Sequence, residues 1–141
     1  MTLNVFKIIT GEIVIGEIIN YDSIGISINN PLIMESIEVQ GQHANTLSML
    51  LPGAIDETIT LKHPHIITHS LAGSQLRKFY GESIFRFFVK NKIALSVDNG
   101  SEQLDNYNKI IIFEKHKELK TKYGIDETDF SITHAPSRTL H

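Results

Sequence analysis

The chain has no cysteine among its 141 residues. Disulfides, thiolate metal sites and cysteine nucleophiles are therefore excluded, and this composition suits a reducing compartment. No apolar run approaches the ~20 residues that a membrane-spanning helix needs. The N-terminal residues also lack the basic start and unbroken apolar stretch that are typical of a signal peptide. These absences predict a soluble, cytoplasmic protein with no membrane partner.

Recognisable catalytic motifs are missing as well. The sequence contains neither a G-x-S-x-G nucleophile turn nor a glycine-rich phosphate loop. Glu12 and Glu17 are an odd number of positions apart, so on a strand they would point to opposite faces and would not form a carboxylate pair. We predict that the protein is not an enzyme and that it carries no cofactor.

Positive charge is scarce in the first half of the chain. Residues 1–70 hold Lys7 and Lys62 as their only basic side chains, against seven acidic ones, whereas residues 71–141 hold 11 basic and 9 acidic side chains. A polyanion would therefore meet the second half, where residues 71–95 are the most basic stretch. The alternative for that stretch is an ordinary solvated helix face.

The stretch from Val5 to Met34 predicts three antiparallel strands, because it is dense in β-branched residues and punctuated by Gly, Asn and Asp. Gly11 favours a tight hairpin turn after the first strand. Gly16 permits a sharp bend in the middle of the second. Tyr21 and Asp22 predict a corner before the third strand, since an aspartate can cap such a corner through local hydrogen bonds.

The extended pattern continues to residue 71. We predict that residues 29–31 interrupt the third strand with a bend, a bulge or an edge, because Pro31 cannot donate to a ladder, and that a polar loop follows over residues 41–45. A long fourth strand, bent at Pro52, is predicted over residues 46–62. The tight His63–Pro64 connection then leads into a fifth strand over residues 65–71.

Beyond residue 71 the apolar residues recur with the period of a helix. The stripe that predicts the first helix consists of Leu76, Phe79, Tyr80, Ile84, Phe87, Phe88 and Leu95. Gly81 is expected to break this helix, because glycine costs about 1 kcal/mol relative to alanine in a helix interior. A strand over residues 85–97 remains an alternative.

A second helix is predicted over residues 101–123 from the stripe of Leu104, Tyr107, Ile111 and Leu119. Gly124 follows where a helix cap is expected. The chain is thus divided into a β-rich part over residues 1–71, a helical extension over 72–123, and residues 124–141. The last of these lack periodicity and are expected to form a flexible tail.

The order of the motifs in the first part resembles the signature of the Sm/LSm/Hfq superfamily. Gly11 corresponds to the turn glycine of the family, Gly16 to its bend glycine, and Tyr21 and Asp22 to its aromatic–Asp pair. Lys62 stands at the position of the arginine in the second half of that signature. The sequence is most similar in appearance to LSm-related proteins encoded by marine bacteriophages.

The resemblance implies a mainly β protein, with a strongly bent five-stranded antiparallel barrel and, here, a C-terminal α-helical extension. It also implies a homo-oligomeric ring of roughly five to seven subunits, in which the fourth strand of one subunit pairs with the fifth of the next. The edge formed by residues 65–71 carries no Lys, Glu or Asp, which favours such pairing. A phage-encoded member would act in the cytoplasm of a bacterial host.

The predicted function is a non-catalytic ring protein that binds single-stranded RNA. The residues expected to contact RNA are Ile24, Lys62, His63 and His65, supplemented by Arg77 and Lys78. The loop after Asp22 has neither the aromatic nor the asparagine that the family uses to bind a base. The alternative is a structural or adaptor homo-oligomer that presents its C-terminal helices to a protein partner and does not bind RNA.

His63, His65 and His69 suggest a different site, because three histidines can hold a metal ion. Their side chains would lie along one strand, however, and no nearby carboxylate would orient them. We therefore interpret His63 and His65 as turn residues or as part of a polar rim, and we predict no metal.

Overall fold

The computed structural model describes residues 2–50, 57–99 and 102–126. The chain forms two compact units, Met1–Gly73 and Ser74–His141. An antiparallel sheet makes up the described part of the first unit, and two helices make up most of the second, which confirms the coarse prediction of fold class. None of the helices in these ranges has an apolar stretch long enough to cross a membrane. Most of the predicted tail, residues 127–141, lies outside the described residues.

Six strands build the described part of the sheet, and a 3₁₀ turn at His63–His65 separates the last two. The strands are β1 (Thr2–Ile8), β2 (Ile13–Tyr21), β3 (Gly25–Val39), β4 (Gln42–Met49), β5 (Thr58–Lys62) and β6 (Ile66–Leu71). Their order is β4-β3-β2-β1-β6, and β5 also pairs with β3. The long β3 thus carries β5 along its first part and β4 along its second. As described, the sheet is open.

The prediction of a loop over residues 41–45 is wrong, because residues 42–45 belong to β4. The expected fourth strand corresponds to β4 and β5, which both pair with β3, and residues 51–56 between them, with the predicted bend at Pro52, lie outside the described residues. Gln40 and Gly41 both have positive φ, 51° and 79°, which is the conformation of a two-residue hairpin turn. The chain therefore pairs back onto β3 at once, from Val39 opposite Gln42 onward. The polarity of residues 41–45 reflects their exposure and not a loop.

The bends in β2 and β3 are confirmed. The β2–β3 register shifts between Ile15 and Glu17, with Gly16 at the shift. A Cβ on Gly16 would lie 3.0 Å from Ile28 Cδ1 and 3.2 Å from the Asn29 carbonyl oxygen, so a larger residue would push the strands apart. The bend in β3 falls just before Pro31, at Asn30, whose φ is 49°.

The sheet is held by a core on one of its faces. Phe6, Val14, Ile26 and Ile28 are fully buried there, from strands that are neighbours in the sheet order. Partly buried side chains that pack around them are Ile8, Ile18, Ile59, Leu61 and Ile66. Each large apolar side chain buried in this way contributes about 1.5–3 kcal/mol. This core fixes the ends of β2, β3 and β5, from which the candidate site is built.

The helical unit consists of α1 (Ser74–Asn99) and α2 (Glu102–Tyr123). The strand alternative for residues 85–97 is therefore wrong, and so is the break at Gly81, because α1 runs through both. Gly81 is buried at a close contact: a Cβ there would lie 2.6 Å from Tyr123 Cβ and 2.8 Å from Ile125 Cγ2. The predicted cap at Gly124 is confirmed, since its φ is 73° and its N–H donates to the Lys120 carbonyl at 2.9 Å.

The predicted apolar stripes are confirmed only in part. Tyr80 is buried and its ring meets that of Tyr123 edge-on, with centroids 5.3 Å apart. Phe85 and Val89, which were not assigned to the stripe, are also buried. On α2, Tyr107 is exposed, contrary to prediction. The structure does not describe the side chains of Leu95 and Leu104, so their predicted places in the two stripes stay predictions.

Replacing Gly81 with alanine is expected to destabilise the protein, although alanine is the better helix former by about 1 kcal/mol. The new methyl group would overlap Tyr123 and Ile125, and overpacking of this kind costs typically 1–3 kcal/mol. The net loss should be about 1 kcal/mol, measured by urea unfolding followed by far-UV circular dichroism. A gain in stability would contradict the close contact at Gly81.

Candidate functional site

The corner between β2 and β3 is organised by the Asp22 carboxylate. Its Oδ1 accepts the backbone N–H groups of Ile24 at 2.8 Å and Gly25 at 3.1 Å, and its Oδ2 accepts a hydrogen bond from Asn20 at 3.2 Å. The backbone hydrogen bonds from Gly25 and Ile24 hold the pKa of the Asp22 carboxyl below its ordinary value. The predicted capping role of Asp22 is therefore confirmed. The ionised carboxylate is the form that these hydrogen bonds stabilise.

The start of the 3₁₀ turn docks against this corner. The backbone N–H of His63 donates to the Ile24 carbonyl at 3.1 Å, and its Nε2 lies 2.7 Å from the Asp22 carbonyl oxygen. A carbonyl oxygen only accepts, so Nε2 carries the proton and Nδ1 is left as an acceptor when the ring is neutral. Lys62 pairs with Gly25 in the β3–β5 ladder. Two segments about 40 residues apart in sequence are thus joined at one point.

The name corner cluster is used here for four residues around Asp22: Tyr21, Ile24, Lys62 and His63. Tyr21 and Ile24 are each 63% exposed, and Lys62 is exposed as well. The Tyr21 and His63 rings lie side by side, with centroids 5.2 Å apart and planes tilted by 50°. The two rings are therefore in contact, whereas Lys62 follows Leu61, which is in register with Tyr21 across β3, and so its side chain leaves the strand on the opposite face.

Gly25 makes this arrangement possible. A Cβ on Gly25 would lie 2.2 Å from the Leu61 carbonyl oxygen and 2.9 Å from Lys62 Cα. Both contacts are with backbone, which has no rotamer by which to move away. Only glycine lets β3 and β5 approach this closely. This role could not be predicted from the residues around Gly25, because it depends on a strand that follows much later in the chain.

The remaining predicted residues lie elsewhere. His65 ends the 3₁₀ turn, where its carbonyl accepts the N–H of Ile9 at 2.9 Å, and its side chain is exposed. His69 lies on β6, where it stacks on Phe6 with centroids 5.3 Å apart and lies 3.3 Å from the Asn4 side-chain oxygen. His63 and His69 thus make separate contacts, and the described residues contain no group of three His, Asp or Glu side chains placed to hold a metal ion.

Arg77 and Lys78 belong to the helical unit and are engaged there. Arg77 donates to the Lys122 carbonyl at 3.4 Å, and the Lys78 ammonium lies 2.7 Å from the Asp126 carboxylate. Both contacts tie the beginning of α1 to the end of α2 and the residues after it. The structure therefore gives these two side chains a local structural role in their own unit.

The sequence missed Tyr21 as a candidate contact residue, because it was assigned only to the family's structural aromatic–Asp pair. A large exposed aromatic immediately before the capping aspartate was the available signal. Comparison with known proteins adds no further assignment: no family model matches this chain, and no curated protein matches it significantly. Its function is therefore inferred from its own geometry.

Proposed function

We propose that this protein is a non-catalytic, Sm-like homo-oligomer that binds single-stranded RNA through the corner cluster, in the cytoplasm of a bacterial host. The observation that carries the proposal is the contact of the exposed Tyr21 ring with the half-buried His63 ring. Stacking of a base on an aromatic side chain contributes about 1–3 kcal/mol. Lys62, the exposed residue before His63 in the chain, would neutralise a phosphate of a strand that passes over this edge of the sheet.

The open sheet supports the oligomeric part of the proposal. The last strand in the sheet order, β6, pairs with β1 on one side, and it carries no Lys, Glu or Asp. Its Ile67 and Leu71 side chains are exposed. An unprotected strand of this kind favours pairing with a strand of another copy. In a closed ring the corner cluster would be repeated by symmetry, and a weak contact to one nucleotide would become a strong contact to a strand.

We expect Tyr21→Ala to weaken binding of oligo-U and oligo-A about tenfold, which corresponds to the loss of one stacked base. Lys62→Ala should weaken binding to both sequences similarly. The slope of log affinity against log salt concentration should become less steep by about one, as expected for the loss of a single phosphate contact. The measurement is fluorescence anisotropy with labelled oligonucleotides between about 50 and 200 mM salt.

Tyr107→Ala is the matched control, because Tyr107 on α2 is 60% exposed, close to the 63% of Tyr21. This variant should bind like the wild type. The proposal is refuted if the wild type shows no binding at about 50 mM salt, where phosphate contacts are strong, or if the Tyr21 and Tyr107 variants lose equal affinity.

The second candidate function is an adaptor that presents its helices to a protein partner. The exposed Tyr107, Ile110 and Phe113 on α2 favour it, since they leave an apolar surface on the helical unit. An intact oligomer that does not bind RNA would support this function over the first.

A further inference from the structure

His63 can gain a positive charge without losing the contacts that hold it at the corner. Its ring is half-buried, its Nε2 lies 2.7 Å from the Asp22 carbonyl oxygen, and its centroid lies 5.2 Å from that of Tyr21. The hydrogen bond uses the proton on Nε2, which is present in both the neutral ring and the imidazolium. Protonation at Nδ1 therefore adds a charge to the corner and leaves this hydrogen bond in place.

The charge that His63 gains lies next to the Asp22 carboxylate. The backbone hydrogen bonds from Gly25 and Ile24 hold the pKa of Asp22 below its ordinary value, and attraction to a charged His63 acts in the same direction. Asp22 therefore stays ionised over the whole range in which histidines titrate. With a neutral His63 the two side chains together carry a negative charge, and with a charged His63 they carry none.

This change is large for a unit with little positive charge. Residues 1–70 hold two basic side chains against seven acidic ones, and such a balance repels a polyanion. Lys62 leaves its strand on the face opposite the Tyr21–His63 contact, so it offsets the Asp22 charge poorly on the side of the rings. A charge on His63 lies in contact with the Tyr21 ring, on which a base would stack.

The titratable and charged groups next to His63 come from three places in the described sheet. Tyr21 and Asp22 lie at the end of β2 and in the corner after it, Lys62 ends β5, and His65 shares the 3₁₀ turn with His63. Of these types, histidine is the one whose charge ordinarily changes between about pH 5 and 8. Since His63 is the histidine in contact with Tyr21, its charge is the one that pH changes at that ring.

We propose that protonation of His63 regulates the corner cluster, so that the protein binds single-stranded RNA at mildly acidic pH and releases it as the pH rises. The inference rests on the function proposed above and adds the regulation of that site. The charged ring neutralises Asp22 and offers its Nδ1–H to a phosphate oxygen in a charge-assisted hydrogen bond. The neutral ring has only an acceptor at Nδ1, which does not attract a phosphate oxygen. Because the charged form binds RNA more tightly, binding must also take up protons.

The pH dependence is measured by fluorescence anisotropy with labelled oligo-U at about pH 5.5 and pH 8, which lie on either side of the ordinary histidine range. Oligo-U is chosen because neither uracil nor its phosphodiester titrates in that interval. The wild type should bind at least about threefold more tightly at the lower pH, as expected for a gained ion pair. The slope of log affinity against log salt concentration should also be steeper there by about one.

The variant His63→Gln removes the titration but keeps a side-chain N–H that can donate to the Asp22 carbonyl. Its affinities at the two pH values should be equal. The ratio of the two affinities is compared, so a general loss caused by the missing ring does not affect the result. The matched control is His43→Gln, at an exposed histidine of β4 that lies opposite Glu38. This control should keep the ratio of the wild type.

Proton uptake provides a second measurement that needs no variant. Calorimetric titration of the wild type with oligo-U near pH 6.5, in buffers of different ionisation enthalpy, should show that protons are taken up on binding. Circular dichroism at both pH values checks that the protein remains folded.

Three results would overturn the proposal: equal wild-type affinities at the two pH values, a wild-type ratio in His63→Gln, and binding without proton uptake. A dependence that disappears in His65→Gln and persists in His63→Gln would assign the effect to His65 and overturn it as well. These failures differ from failure of the proposed function. A wild type that binds oligo-U equally at both pH values refutes the regulation alone, whereas one that binds it at neither pH refutes both.

Discussion

Replacing Gly25 with alanine is expected to lower the free energy of unfolding by about 3 kcal/mol, the upper part of the range for overpacking. The added Cβ would lie 2.2 Å from the Leu61 carbonyl oxygen. Because the obstacle is backbone, β3 and β5 would have to separate. The five-residue β5 pairs with β3 from Gly25 to Asn29, so a shift at Gly25 acts on the whole of that pairing.

Gly73→Ala is the matched control for this prediction. A Cβ on Gly73 would have no atom within 4 Å, and its φ is not in the left-handed region. The variant should therefore change stability by no more than about 0.5 kcal/mol, as for an ordinary surface substitution. Urea unfolding monitored by tyrosine fluorescence gives both values. A Gly25→Ala cost as small as that of Gly73→Ala would contradict the close β3–β5 approach.

The same substitution should also weaken RNA binding beyond its effect on stability. The Gly25 N–H is one of the two backbone donors to Asp22, and Lys62 is its partner in the ladder. Separation of the strands would move Lys62 and His63 away from Tyr21. Binding measured well below the unfolding midpoint distinguishes this displacement from simple loss of folded protein.

Local features of the fold could be predicted from the sequence, because their causes are local. Gly11 has a φ of 91° and its N–H donates to the Ile8 carbonyl at 2.9 Å, as its place between two strands indicated. The Asp22 corner and the Gly124 cap likewise depend on hydrogen bonds to residues within four positions. Polarity and propensity are sufficient signals where the partner is a sequence neighbour.

Features that depend on distant partners could not be predicted in this way. Gly81 indicated a helix break, yet α1 is continuous there because the glycine accommodates Tyr123 and Ile125. Residues 41–45 indicated a loop, because the exposed first half of β4 is polar. In both cases tertiary contact, or its absence, overrides local propensity.

The candidate site shows the same division. The sequence placed Ile24, Lys62 and His63 in one group through a family resemblance, and the structure joins them by the His63 contacts with Ile24 and Asp22. It could not show that the Tyr21 ring lies next to His63, since that depends on the β3–β5 register. Arg77 was grouped with them on charge, whereas its contact is with the end of α2. Charge gives no information about which side chains meet.

Disrupting the outer edge of β6 is expected to convert the proposed ring into monomers. In an antiparallel ladder every second residue pair exchanges hydrogen bonds. In the β1–β6 ladder Leu3 and Ala72 are one such pair, because the Ala72 N–H donates to the Leu3 carbonyl at 2.9 Å. Val5 and Ser70 form the next such pair. Leu71 lies between them, and its N–H therefore points away from β1. Leu71→Pro removes this outward donor and leaves the inner ladder in place.

The edge variant combines Leu71→Pro with Ile67→Lys, because a lysine on an exposed edge opposes strand addition. Light scattering should give a mass near 15.9 kDa for this variant and a multiple of it for the wild type. Its RNA affinity should fall at least about a hundredfold as the repeated sites separate. Ser70→Pro, which removes an inner donor, should instead destabilise the fold. Assembly through β6 would be refuted by a wild type that is monomeric or by an edge variant whose mass equals that of the wild type. The test is decisive because both substitutions of the edge variant lie on β6.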